Sequence, residues 1–151
     1  MNRIFLYTSF LCIIFFASFN SFTPAANTNI TDDVFTQTNK FRKNNGLKEL
    51  IRSDALNAIA QKHSTDMAGR RVGFGHSGFA KRNAMAKAKM PSLRYFAENV
   101  AFGASTGKEA VTMWKNSSGH RRNMLGRYTH IGIGIAKDKQ GRIFYTQVFA
   151  G

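Results

Sequence analysis

Apolar residues recur along this chain in two rhythms. Between Ser53 and Gly69, the residues Leu56, Ile59, Ala60, His63 and Met67 fall at i, i+3, i+4, i+7 and i+11, which is one face of an α-helix. Ser53 and Asp54 supply a cap and a first turn, so the spacing predicts a helix over about 54–68. Thr31, Asp32 and Asp33 open another, over about 32–44, with Val34, Thr38 and Phe41 on one side and Gly46 past its end. Thr106 and Glu109 form a capping box ahead of Ala110, Val111 and Trp114, which predicts a third helix over about 107–116. The stretch 79–90 mixes Phe79, Met85 and Met90 with Lys81, Arg82, Lys87 and Lys89, and Pro91 closes it. It reads as a short basic helix or an ordered loop.

The second rhythm is alternation. Ile131, Ile133 and Ile135 alternate with Gly132, Gly134 and Ala136, and Ile143, Tyr145, Gln147 and Phe149 alternate along a second run. Asp138 to Gly141 between them reads as a hairpin turn. Glycines along one face of a strand imply that another element packs very close to that backbone. Phe96 to Gly103 supplies a third strand. The expected class is α+β, with helices covering a small antiparallel sheet.

One apolar run belongs to neither rhythm. Ile4 to Phe19 follows Arg3 and precedes Ser21, Pro24, Ala25 and Ala26, the layout of a cleaved secretory leader over residues 1–26. Its ~16 apolar residues fall short of the ~20 needed to cross a bilayer, and no basic cluster follows to stop transfer, so no transmembrane span is expected after processing. Residues 27–151 are then a single exported domain, secreted to the outside or to the periplasm. The lone cysteine, Cys12, lies inside the leader. The remainder therefore has no disulfide, no cysteine-ligated metal and no thiol nucleophile.

Charge narrows the partners. The 151 residues carry 22 Lys+Arg against 8 Asp+Glu, a formal +14, and removal of residues 1–26 takes away Arg3 alone. With 43% hydrophobic residues the chain can bury a core, which excludes a disordered or fibrous protein. A strongly basic exported domain is steered to anionic surfaces: wall or envelope polymers, acidic lipid headgroups or stray nucleic acid. No zinc finger, helix-turn-helix or aromatic RNA-binding pattern is present, so a specific nucleic-acid target is not expected.

Candidate chemistry rests on few residues. His63 falls on the buried stripe of its helix, where an imidazole bonded to backbone is expected, and His130 stands at a strand entrance. His76 and His120 each follow a glycine, a context that suits a sharp turn aiming an imidazole. Glu98 stands in the otherwise apolar run Tyr95–Ala101 and must be paired or bridged if buried. Two histidines and a carboxylate suit an open zinc site and equally a general acid/base pair. The zinc-protease His-Glu-x-x-His, the Gly-x-Ser-x-Gly elbow and the phosphate-binding Gly-Lys-Ser/Thr loop are all absent.

Leu56 with Ala60, His63 and Met67, then Gly75-His76, Glu98-Asn99-Val100-Ala101, the block from Trp114 through Ser117, Gly119-His120-Arg121 and Asn123-Met124-Leu125, Ile131-Gly132-Ile133-Gly134, and Thr146-Gln147-Val148-Phe149 stand in an order that resembles the bacterial, SCP-like branch of the CAP superfamily. That superfamily includes cysteine-rich secretory proteins, venom antigen 5 and plant pathogenesis-related proteins. The resemblance covers about residues 32–151. It implies an α-β-α sandwich whose cleft holds histidines and glutamates, which in some members bind a divalent metal. By position His76 matches the first cleft histidine, Glu98 the glutamate before Asn99, and His120 the histidine of the Gly-His motif. Asn99 and Gln147 match further cleft positions. A second glutamate expected after the tryptophan is missing, since Lys115-Asn116-Ser117-Ser118 follows Trp114.

Three classes of function are then open, because the fold that the resemblance implies dictates no single activity. In the first, an exported, non-enzymatic binding module takes a lipid, glycan or envelope ligand through the His/Glu cleft and a basic face, for which the segment 81–94 offers Lys81, Arg82, Lys87, Lys89 and Arg94. In the second, a hydrolase or peptidase uses Zn²⁺ or another divalent cation on His76 and His120, with Glu98 as base or third ligand. In the third, the protein is a purely structural partner domain, and its cleft residues only stitch helices to sheet by hydrogen bonds.

Overall fold

The computed structural model describes residues 29–151; the expected leader over residues 1–26, Cys12 included, lies outside them. The order is α1 (Ile30–Asn44), β1 (Ile51–Arg52), α2 (Asp54–Ala68), α3 (Phe79–Lys89), β2 (Phe96–Phe102), α4 (Gly107–Asn116), α5 (Ser118–Met124), β3 (His130–Lys137) and β4 (Ile143–Ala150). Helix α1 begins two residues earlier than Thr31 suggested, because the Asn29 side chain accepts the Thr31 amide and is the cap. Ser53 caps α2 through the Leu56 amide, and Thr106 caps α4 through that of Glu109. The Glu109 carboxylate reaches back to the Ser105 amide at 2.8 Å, one residue beyond the expected box. The basic stretch is a helix, α3, which starts after Gly78 at φ +79 with no side-chain cap.

The four strands lie in the order β1-β3-β4-β2. Strands β2, β4 and β3 run antiparallel as expected, whereas β1 pairs with β3 in parallel and makes the sheet mixed. At two residues β1 is too short to carry alternation. Strand β4 is buried along all eight residues, because helices cover both faces of the sheet. Tyr145 and Phe149 pack on one face with Val34 of α1 and Val111 and Trp114 of α4. Val148 packs on the other with Leu56, Ile59 and Ala60 of α2. Burying a side chain such as Leu56 or Phe149 contributes about 1.5–3 kcal/mol.

Gly132 and Gly134 let α2 lie against the backbone of β3. A Cβ on Gly132 would overlap the Leu56 carbonyl carbon, and one on Gly134 that of Ala60. The Asn57 and Gln61 side chains accept the β3 amides of Ile133 and Ile135, each at 3.0 Å. Opposite, the buried Arg42 of α1 holds the chain after α5, donating to the carbonyls of Met124 at 2.8 Å and Gly126 at 2.9 Å. Burial lowers the pKa of that guanidinium.

Candidate functional site

Strand β2 ends the sheet, and its alternation sends neighbouring side chains to opposite faces. Glu98 sits opposite Val148 and Asn99 opposite Gln147, so Glu98 faces α2 and α3 while Asn99 faces α1 and α5. Two polar clusters meet at this edge.

The first is centred on the Glu98 carboxylate, which is fully buried. Arg82 of α3 donates from Nη2 to Oε1 at 2.7 Å and from Nε to Oε2. Such a fork-to-fork pair supplies the partner that a buried carboxylate needs. His76 Nδ1 lies 2.8 Å from Oε1. A carboxylate only accepts, so Nδ1 carries a proton and Nε2 is the nitrogen left for another partner, on a side chain that is about half exposed. Arg82 also donates from Nη1 to the Ser77 carbonyl at 2.7 Å and so pins the turn that presents His76. Gly75, at φ +135, gives that turn its shape.

His63 backs the cluster from α2. Its Nε2 donates to the Gly75 carbonyl at 2.8 Å and lies 3.8 Å from Glu98 Oε1. Burial is the main influence on this imidazole and lowers its pKa; the hydrogen bond to Gly75 acts in the opposite sense. His63 is the backbone-bonded core histidine that its helical position implied.

The second cluster fixes His120. Asn99 donates to the His120 carbonyl at 3.2 Å and to Gln147 Oε1 at 3.3 Å. Asn123 donates to Asn99 Oδ1 at 2.9 Å and to the Glu98 carbonyl at 3.1 Å. Gln147 in turn donates to Thr38 Oγ1 at 2.7 Å. Asn99 and Gln147 are completely buried; Asn99 holds the main chain of α5 and Asn123 that of β2. The His120 ring is partly exposed; burial, then the charge of His76, pushes its pKa down.

Three contributors escaped the sequence reading in this role: Arg82, His63 as a neighbour of Glu98, and Asn123. Arg82 was grouped with the basic face, yet it is buried and consumed by Glu98; Lys81, Lys87, Lys89 and Arg94 are exposed. The signal was available in one form only, the need of a lone buried carboxylate for a cation. With both oxygens of Glu98 engaged by Arg82, the expected metal donors reduce to the His76 and His120 imidazoles. That is fewer than the three protein ligands of a catalytic zinc, and no group of three metal-binding side chains converges among the described residues. Nor is any helix among them long and apolar enough to cross a membrane.

Residues 35–149 match the model of the cysteine-rich secretory protein family, CAP. YkwD of Bacillus subtilis is 37% identical over 117 residues, which are 76% of this chain and 44% of that protein. A Bacillus anthracis extracellular protein containing an SCP domain superposes with a TM-score of 0.69 at 28% identity, covering 80% of this chain and 40% of its own. An outer surface protein of Borrelia burgdorferi gives a TM-score of 0.69 at 20% identity over 81% of this chain and 94% of its own, a likeness of fold alone. The chain thus spans less than half the length of the two Bacillus proteins. With helices on both faces of a four-stranded sheet and a match to the family model over residues 35–149, this chain belongs to the CAP, or cysteine-rich secretory protein, family.

Proposed function

We propose that this protein is an exported binding module, working without turnover, that captures an extracellular lipid, glycan or envelope polymer through the His76–Glu98–His120 cleft and its basic surface. The leader-like residues 1–26 and the extracellular description of the Bacillus anthracis relative support export. One observation carries the cleft's part: the buried Glu98 carboxylate, paired with Arg82, accepts from His76 Nδ1 and so orients a half-exposed imidazole whose neutral form offers Nε2 as an acceptor. Such a group is preorganised to receive a ligand's donor, which lowers the ordering cost of binding.

The same carboxylate–imidazole contact is how proteins orient metal-ligating histidines, and it favours the second reading, a metal-dependent hydrolase. A metal there would be held by His76 and His120 and would supply a polarised water. One experiment separates the two. Bacterial cell walls freed of lipid are incubated with the protein and with His76→Ala, in the presence and absence of EDTA, scoring both retention and release of wall fragments. Retention that survives EDTA and drops several-fold in His76→Ala is expected. Fragment release that stops with EDTA and in His76→Ala would establish the hydrolase instead.

A further inference from the structure

Away from the cleft, one end of the sandwich carries an apolar surface that the fold leaves uncovered. Phe74, after α2, and Phe102, at the end of β2, are 51% and 43% exposed. Their rings meet edge to face with centroids 4.9 Å apart, and Phe102 stacks on Phe144 of β4 at 5.8 Å. A cavity of about 420 Å³ opens here, lined by Met67, Arg70, Phe74, Phe102, Arg142 and Phe144 among others. Two adjoining exposed rings beside a cavity offer an apolar contact that scattered single side chains do not.

The surface is edged by cations. Arg70, Arg71 and Arg142 line the cavity, and Lys139 shares the adjoining cavity with Arg70. Asp66 and Asp138 pair with Arg71 and Arg142, while neither Arg70 nor Lys139 forms an ion pair among the described residues. Arg70 is also the only non-glycine residue with positive φ among them, at +54. A glycine would take that backbone at lower cost, so the turn keeps a cation where its geometry favours none. The cavity lining holds no carboxylate and no carboxamide to pair with sugar hydroxyls. Phenylalanines ringed by arginines and lysine match an interface that is apolar within and anionic at its surface.

We infer that this end of the molecule docks on an anionic phospholipid bilayer, with Phe74 and Phe102 entering the headgroup–acyl boundary and Arg70 and Lys139 meeting the phosphates. The inference rests on the reading of an exported binder but needs neither His76 nor His120. The test is flotation with phosphatidylglycerol and with phosphatidylcholine vesicles, for the wild type, Phe74→Ala, Phe102→Ala, Arg70→Gly and His76→Ala. Both phenylalanine sites are exposed, and an unchanged thermal midpoint certifies each variant. Binding to phosphatidylglycerol is expected to fall about fivefold in each phenylalanine variant, to weaken in Arg70→Gly, and to persist in His76→Ala. A tryptophan placed by Phe74→Trp shifts to the blue on adding phosphatidylglycerol, against the buried Trp114. Equal affinity for phosphatidylcholine, or no shift at position 74, overturns the inference. So does retention on lipid-free cell walls that depends on Phe74, which would reassign the surface to a glycan. Loss of cell-wall capture in His76→Ala with vesicle binding intact leaves the inference standing.

Discussion

Arg82 and Glu98 are each affordable to this fold only because of the other. The pair is buried, and removing one member strands a charge where water cannot reach it. Arg82→Met is expected to cost about 3–5 kcal/mol, while Arg82→Met with Glu98→Gln recovers much of that loss because no bare carboxylate remains. Urea unfolding of the two single variants and the double variant reads this directly; additive costs would show that the two residues stabilise the fold independently. Arg82 also holds the Ser77 carbonyl, so its loss loosens the turn that aims His76. His63 adds a pH dependence of definite sign. Burial lowers its pKa in the fold, so at pH values between the folded value and the ordinary ~6.5 the unfolded chain binds a proton that the folded chain does not. Stability is therefore full above ~6.5 and declines as pH falls below it. His120, also lowered by burial, contributes in the same direction. Unfolding midpoints at about pH 7.5, 6 and 5 should decline for the wild type and less steeply for His63→Gln; equal slopes for the two proteins would remove His63 from the account.

Helix α2 on strand β3 is the contact that organises the elements. Its closeness follows from two glycines, and its polar seal is the pair of bonds from Asn57 and Gln61 to β3 amides. Gly132→Ala drives a methyl group into helical backbone, which cannot move aside as a side-chain tip can. We expect a loss of about 3 kcal/mol or more, whereas Gly141→Ala meets nothing in space and is disfavoured only by its φ of +79. A loss below about 1 kcal/mol for Gly132→Ala, measured by denaturant, would mean that α2 can slide on the sheet. This contact was legible in the sequence because periodic apolar faces and alternating glycines are local patterns. Helix α5 was not, since its seven residues directly follow α4 and include Gly119. Strand β1 was not either, because two residues show no period. For the site, His76, Glu98 and His120 could be read from motifs, whereas the Arg82–Glu98 pair joins positions 16 apart on different elements and leaves no spacing signal. Asn99 and Gln147 were legible as positions, but not as a buried strut, because their burial depends on α1 and α5 closing over them.

At the scale of the molecule, charge acts on the fold and on binding with opposite signs. The described residues hold all eight of the chain's carboxylates and every Lys and Arg except Arg3, so self-repulsion opposes compaction. None of these residues is a cysteine, and no disulfide offsets that repulsion. The same excess draws the protein to an anionic surface. Added salt shortens the screening length from about 10 Å at 0.1 M to about 3 Å at 1 M, which weakens repulsion within the protein and attraction to a surface alike. The thermal midpoint should therefore hold or rise over that range while retention on phosphatidylglycerol vesicles falls several-fold. Scanning calorimetry and vesicle flotation in the same buffers test both halves together. A midpoint that drops along with retention would mean that salt unfolds the protein. Retention that survives 1 M salt would instead assign the affinity to Phe74 and Phe102 rather than to the cations around them.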